Sequence, residues 1–188
     1  MDRKDILHAV RDQLPKKRWD HVLGVMETAV ILADRFGADP VKADLAAILH
    51  DVAKYWPIAQ LEQAVIEHHI QGDLLQYDRQ LLHAHVGAYV ARVDYGILDI
   101  EILDAIRYHT SGREAMTLLD KVICLADYME PGRDFPGVDN IRYLAESSLD
   151  RALIAGFDST ITYLLSQGKT IYPLTIIARN SLIEQLQQ

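Results

Sequence analysis

The stretch Leu49-His50-Asp51-Val52-Ala53-Lys54 closes an apolar run that begins near Val41 and reads as a helix. A histidine followed directly by an aspartate at the end of such a helix needs an explanation, because both side chains are polar. One imidazole nitrogen and one carboxylate placed together are donors that iron, zinc and manganese ions accept in proteins. The pair alone is a weak signal, and its weight depends on further ligands elsewhere in the chain.

The composition fits one globular domain of 188 residues, with 49% hydrophobic and 24% charged residues. The formal net charge of −8 argues against a general nucleic-acid binder, which normally carries a basic face. It also means that an anionic substrate would need a local cluster of Lys and Arg. The chain opens without a signal peptide and contains no apolar run of about 20 residues, so we expect a cytoplasmic protein without a membrane partner.

Helical periodicity dominates the chain, and no run of alternating strand residues is convincing. The clearest helix runs from Val22 to Phe36 and ends at Gly37, and the next begins at Pro40. Further helices are predicted at about 2–14, 58–70, 82–93, 100–109, 118–129, 149–167 and 174–187. The fold class predicted from this pattern is all-α, with 1–188 as a single domain.

Local signals refine the helix boundaries. Asp99 is expected to cap the helix over 100–109, and Thr117 with Asp120 resembles a capping box. A loop is expected at Gly72-Asp73, and the Pro- and Gly-rich segment 131–137 is too short for a domain linker. The single cysteine, Cys124, lies in an apolar run and is predicted to be a buried, inert thiol.

Four histidines and two aspartates share one setting, at the edge of an apolar stripe or near a helix end. They are His21, His50, Asp51, His83, His109 and Asp127. The interior of a helical bundle is a usual place for a metal site. Six ligands exceed the need of one ion and suit two ions, with Asp51 as the obvious bridge. The competing interpretation is a set of unrelated structural histidines, and we assign only His8, His68, His69 and His85 to that class.

The order of His21, His50-Asp51 and Asp127 resembles the HD-domain metal-dependent phosphohydrolases, and the additional His83 and His109 resemble the branch that binds two metals. Longer strings are closer still to the bacterial HD-type symmetrical bis(5'-nucleosyl)-tetraphosphatases, over about residues 18–182. These strings are Leu49-His50-Asp51-Val52-Ala53-Lys54, Tyr108-His109-Thr110-Ser111-Gly112-Arg113, Leu125-Ala126-Asp127-Tyr128-Met129-Glu130-Pro131-Gly132-Arg133 and Ala178-Arg179-Asn180. Many HD enzymes have Gly where Ala53 stands, and this departure favours the tetraphosphatase branch.

The resemblance implies a single HD-domain helical bundle with the metal site in its interior. Its HD core would cover about 18–130 and its C-terminal helices about 138–187. The implied reaction is symmetrical hydrolysis of diadenosine tetraphosphate to two ADP, and a homodimer is implied as well. The implied cofactors are two divalent or mixed-valence transition metal ions, iron first, with manganese or cobalt as other fits.

The resemblance also distributes the ligands. His21, His50, Asp51 and Asp127 would hold the first ion, and His83, His109 and Asp51 the second. Such ions lower the pKa of water toward about 7, which makes hydroxide available at neutral pH.

Cations near the ligands would bind the polyphosphate. Lys54, Arg113 and Arg133 lie close in sequence to the ligands and are predicted phosphate contacts. Thr110 and Gly112, in the turn after His109, are predicted to touch the substrate too. We name Asp51 and Lys54 as the catalytic residues. The roles of Arg142, Arg179, His85 and the Tyr55-Trp56 pair stay open.

Two alternatives remain. One is an HD-type nucleotidase or nucleoside triphosphate hydrolase, which would differ in its products. The other is a regulatory module that binds metal and nucleotide without turnover.

Overall fold

The computed structural model describes residues 1–70 and 73–187, which form ten α-helices and two short 3-10 turns without any β-strand. The all-α prediction is confirmed. Gly72 of the expected loop lies outside the described residues. The helices are α1 (Arg3–Gln13), α2 (Lys16–Phe36), α3 (Pro40–Leu49), α4 (Ile58–Glu67), α5 (Leu82–Val93), α6 (Ile100–Tyr108), α7 (Leu118–Met129), α8 (Val138–Ala145), α9 (Leu149–Ser166) and α10 (Pro173–Gln187).

The helix boundaries follow the capping signals of the sequence. Asp39 caps α3 by accepting hydrogen bonds from the backbone of Val41 at 2.8 Å and Lys42 at 3.2 Å, with Pro40 in the first helical position. Thr117 and Asp120 form the predicted capping box at the start of α7. These local signals determine where the elements that carry the site begin.

The helix α8 is a difference from the sequence analysis, in which periodicity predicted only α9 and α10 as individual C-terminal helices. It is short, and only Val138, Ile141 and Ala145 bury their side chains. Three apolar positions in eight residues leave too short a stripe for a periodicity argument.

Five helices meet around the centre of the bundle. Helix α2 packs on α3 and α7, while α6 lies against α3, α5 and α7, and α9 covers α7 from the outer side. The core includes Val22, Ile48, Leu125 and Phe157, and Cys124 is buried as predicted. This packing brings α2, α3, α5, α6 and α7, each of which carries or adjoins a predicted metal ligand, to one interior region. Among the described residues, no helix combines the length and apolar character needed to cross a membrane.

Candidate metal centre

The Nε2 atoms of four histidines converge at the centre of the bundle. Those of His21 and His50 lie 3.4 Å apart, and those of His83 and His109 lie 3.2 Å apart. All four belong to the set predicted from the sequence, although they come from separate parts of the chain. His50 and His109 follow directly after the last residues of α3 and α6, so helix ends place them at the centre.

The other ring nitrogen of each histidine, Nδ1, lies within hydrogen-bond distance of an oxygen. The Nδ1 atoms of His50, His83 and His109 lie 2.7, 2.5 and 2.7 Å from the carbonyl oxygens of the residues three positions earlier. In His21, Nδ1 lies 3.0 Å from Oε1 of Glu130. A carbonyl or carboxylate at Nδ1 favours a proton there, which leaves the lone pair of Nε2 free for a metal.

Asp51 lies between the two histidine pairs and presents a different oxygen to each. Its Oδ1 is 3.1 Å from Nε2 of His83 and 3.9 Å from that of His109. Its Oδ2 is 3.3 Å from Nε2 of His50 and 3.6 Å from that of His21. A carboxylate in this position can serve two ions at once, one through each oxygen.

Asp127 completes the side of the cluster that contains His21. Its Oδ1 lies 3.1 Å from Nε2 of His21, and the Arg133 guanidinium donates to the same oxygen. Donor atoms of His21, His50 and Asp127 fall within 4.8 Å of one another, as do those of His50, Asp51 and His109. The six predicted ligands therefore form one cluster.

The buried groups of the cluster shift one another's pKa values. Burial alone would raise the pKa of the Asp51 carboxyl, but the neighbouring His50 and the close ring nitrogens of His50 and His83 lower it well below its usual range. Burial likewise opposes ionisation of Asp127, and the close ring nitrogen of His21 and the charge of Arg133 lower its pKa well below the usual range. Burial, with His50 and His83 nearby, lowers the pKa of His109 to about 3. Anionic carboxylates beside a neutral imidazole are what a metal requires.

Comparison with known proteins identifies the family to which this chain is similar. The HD domain family matches residues 18–132. The chain belongs to the HD domain family.

Relatives of this chain are similar to it over nearly its whole length. It is 47% identical over 183 residues to "Bis(5'-nucleosyl)-tetraphosphatase, symmetrical" of Bacillus subtilis, covering 97% of this chain and 98% of the relative. It is 42% identical to the protein of the same name in Staphylococcus aureus, covering 90% and 89% of the two chains. A crystal structure from Clostridium acetobutylicum, titled a "predicted HD superfamily hydrolase involved in NAD metabolism", superposes with a TM-score of 0.94 at 39% identity, covering 98% of both chains.

The HD domain implies dependence on a divalent metal, and the residues present fit such an ion. Four imidazole nitrogens and two carboxylates are compatible with several first-row transition metals. The convergence of these acceptor atoms in the interior is unfavourable without a cation between them. The donor chemistry therefore agrees with the family.

Two charged residues of the HD site were missed in the sequence. The guanidinium of Arg18 donates to Oδ2 of Asp51 at 2.6 Å, and Glu130 holds His21. Arg18 stands three residues before His21, a helical spacing that could have suggested it. Glu130 lies in the stretch from Leu125 to Arg133 that resembles the family, but no local pattern links Glu130 to His21.

The predicted substrate contacts separate into two groups. Lys54 is half-buried, with Nζ 3.5 Å from both ring nitrogens of His83, and burial lowers the pKa of its ammonium group. Arg133 lies beside Asp127, and Thr110 lines a cavity that reaches His109. These three residues adjoin the metal cluster.

Arg113 and Gly112 have structural partners instead. The Arg113 guanidinium donates to Asp120 at 2.7 Å and to Asp104 at 2.9 Å, and its Cζ lies 5.0 Å from the centre of the Tyr108 ring. Gly112 has φ +64°, and a Cβ there would lie 2.7 Å from the Ala178 side chain. The geometry favours a structural role over the predicted substrate contact for both, because two carboxylates already neutralise the arginine.

The residues with open roles now have partners. Arg142 donates to the carbonyls of Met129, Glu130 and Arg133 at 3.1, 3.0 and 2.9 Å, so it braces the chain that follows α7. Arg179 donates to Asp158 at 2.5 Å.

Tyr55, Trp56 and His85, whose roles the sequence left open, differ in exposure. Tyr55 is exposed and lies beneath the Arg18 guanidinium, whereas Trp56 packs against the core. His85 is buried against Tyr108, without a hydrogen-bond partner for either ring nitrogen among the described residues. Its burial lowers its pKa to about 3, which agrees with a structural histidine.

Proposed function

We propose that this chain is a metal-dependent hydrolase that cleaves diadenosine tetraphosphate symmetrically into two ADP. The observation that carries the proposal is the interior cluster of six candidate ligands in a chain that matches symmetrical tetraphosphatases over almost its full length. The reaction adds one water: its oxygen bonds to an inner phosphorus, and the bond from that phosphorus to the central bridging oxygen breaks. One ADP leaves through that oxygen, and the other ADP carries the new one.

We propose two ions in the cluster, iron first, with manganese or cobalt as other fits. His21, His50, Asp127 and Oδ2 of Asp51 would hold one, and His83, His109 and Oδ1 of Asp51 the other. Bound ions polarise phosphate oxygens and lower the pKa of water. The separation of the two Asp51 oxygens between the histidine pairs supports this division.

Three cations of the chain would bind the polyphosphate. Arg18 and Arg133 lie beside Asp51 and Asp127, and Lys54 lies beside His83. Guanidinium groups match phosphate oxygens in a fork geometry, and an ammonium group acts as a point charge. They would counter the negative charge of the substrate, which the net charge of −8 otherwise repels. Lys54, beside His83, would stabilise the charge that forms on the leaving ADP.

Organisation and assembly complete the proposal. We propose one domain over 1–188, with an HD core of about 18–130, because α7 packs on both α2 and α9. We also propose a homodimer, which the exposed apolar residues Tyr163 and Leu165 of α9 support. Light scattering of the purified chain tests the dimer.

The product of diadenosine tetraphosphate hydrolysis tests the function. Purified protein with Fe²⁺ or Mn²⁺ should yield ADP as the sole product, and none after chelation. AMP with ATP would refute the symmetrical cut. Nucleotide binding without turnover by any metal would indicate a regulatory module instead. Faster hydrolysis of a mononucleotide triphosphate would favour the nucleotidase interpretation.

A further inference from the structure

We propose that two cavities flanking the loop 131–137 bind the two nucleoside ends of the substrate, with the tetraphosphate crossing the metal centre between them. This inference rests on the proposed function. A symmetrical cut lies midway along the substrate, so each ADP half extends away from the centre in its own direction. A site that cuts there needs room for a nucleoside on both sides.

The first cavity, called here the α9 cavity, lies between α9 and the loop 131–137 and has a volume of about 810 Å³. Phe135, Pro136 and Tyr128 give it apolar walls, while Ser159 and Thr162 add hydroxyl groups. Apolar walls with a few polar groups are typical of pockets for small organic ligands, which occupy roughly 300–1,000 Å³. An adenine ring with its ribose has this mixed character.

The α9 cavity also reaches the reacting centre. His109 and Asp127, two of the metal ligands, form part of its lining, together with Thr110. The Thr110 hydroxyl oxygen is buried and has no hydrogen-bond partner among the described residues. A buried hydroxyl without a partner is costly, and a ribose or phosphate oxygen in this cavity would accept a hydrogen bond from it.

The second cavity, called here the α2 cavity, lies on the other side of the same loop and has a volume of about 850 Å³. Arg18, His21 and Tyr55 contribute to its lining. The exposed Tyr55 ring presents an aromatic face, and the Arg18 guanidinium lies 6.0 Å from the centre of that ring and next to Asp51. Such surfaces stack nucleobases without strong sequence preference.

The loop 131–137 forms the ridge between the cavities. Arg133 and Phe135 line both of them. His109 and Asp127 line the α9 cavity, and His21 lines the α2 cavity. The path from the α9 cavity to the α2 cavity therefore passes His109, Asp127 and Arg133 before it reaches His21. A polyphosphate on this path would have its middle at the metal cluster.

Filling each cavity separately tests the proposal. Ser159→Trp would place an indole ring in the α9 cavity, and Leu23→Trp would place one in the α2 cavity, so that each obstructs nucleoside binding there without a change of charge. Ser147→Trp, an exposed position between α8 and α9, is the matched control. The measurements are the number of ADP bound per metal-loaded chain by titration calorimetry and the KM for diadenosine tetraphosphate.

We expect two ADP per chain for the wild type and for Ser147→Trp, and one for each filled variant. The KM should rise at least about tenfold in each filled variant. If Ser159→Trp does not fold, Thr162→Trp at the exposed rim of the same cavity replaces it. One ADP per wild-type chain, or an unchanged ADP count and KM in both filled variants, would overturn the proposal.

The two proposals fail in different ways. Turnover to ADP with unchanged binding in the filled variants would overturn the two cavities and leave the proposed function standing. Two ADP sites that are lost separately, in a metal-loaded wild type that yields no ADP from the substrate, would overturn the proposed function alone.

Discussion

Asp51 faces both halves of the candidate metal cluster, since each of its oxygens lies toward a different histidine pair. We predict that Asp51→Asn abolishes metal binding and hydrolysis together. The amide loses the negative charge and turns an N–H donor toward one pair of Nε2 atoms. Metal content by elemental analysis and ADP release measure the two effects. Asp34→Asn, on the exposed side of α2, should change neither; an active, metal-replete Asp51→Asn protein would contradict the assignment.

Glu130 acts on the same cluster through His21. Its carboxylate lies against Nδ1 of His21, and its Oε2 would lie 2.5 Å from a Cβ at Gly24. Groups that orient a metal-bound histidine typically contribute 10- to 100-fold to affinity. We predict that Glu130→Gln and Gly24→Ala each weaken metal binding roughly 10- to 100-fold, measured by competition with a chelator of known affinity.

The control for this prediction is a glutamate of the surface. Glu146→Gln removes only an exposed partner of Arg35 and should bind metal like the wild type. Gly24→Ala and Glu130→Gln should combine less than additively, because both displace the same carboxylate. Fully additive losses would mean that the two residues act separately.

At the scale of elements, the turn after α6 holds His109 in place and depends on Gly112. Its φ of +64° already disfavours a side chain, and a Cβ would lie 2.7 Å from both Phe157 of α9 and Ala178 of α10. We predict that Gly112→Ala lowers the free energy of unfolding by roughly 2–5 kcal/mol, from left-handed strain and overpacking together. Urea unfolding monitored by circular dichroism measures the loss.

The matched substitution is Gly37→Ala at the end of α2. Gly37 has φ +83° with nothing within 4 Å of the added Cβ, so only the strain remains. Its cost should be roughly 1–2 kcal/mol. Equal losses at the two glycines would show that packing against α9 and α10 does not constrain the turn.

For the whole molecule, the metal centre joins helices that are distant in sequence. An ion that binds only the folded chain stabilises it by about 2.7 kcal/mol when free metal is 100 times Kd. For a chain of this length we predict a rise in Tm of roughly 5–10 °C with Mn²⁺ or Fe²⁺, reversed by chelation. Thermal unfolding with and without metal measures it. The same rise in Asp51→Asn would place the ion elsewhere.

The sequence by itself determined nine of the ten helices in the described part of the chain, all but α8, and the set of metal-ligand candidates. Periodicity and capping residues such as Asp39 and Thr117 act within a few positions, so local order along the chain is enough to predict them. The ligand candidates stood out for a related reason, since a polar histidine or aspartate beside an apolar stripe needs a partner. All six converge in the structure.

The tertiary structure alone decided which charged groups face that cluster. Glu130 reaches His21 across 109 positions and Arg18 reaches Asp51 across 33, because helix packing brings them together. The same packing occupies Arg113, which sequence proximity to His109 had suggested as a phosphate contact, with Asp104 and Asp120. Side-chain partners between distant helices depend on how whole elements pack, and no local pattern records that.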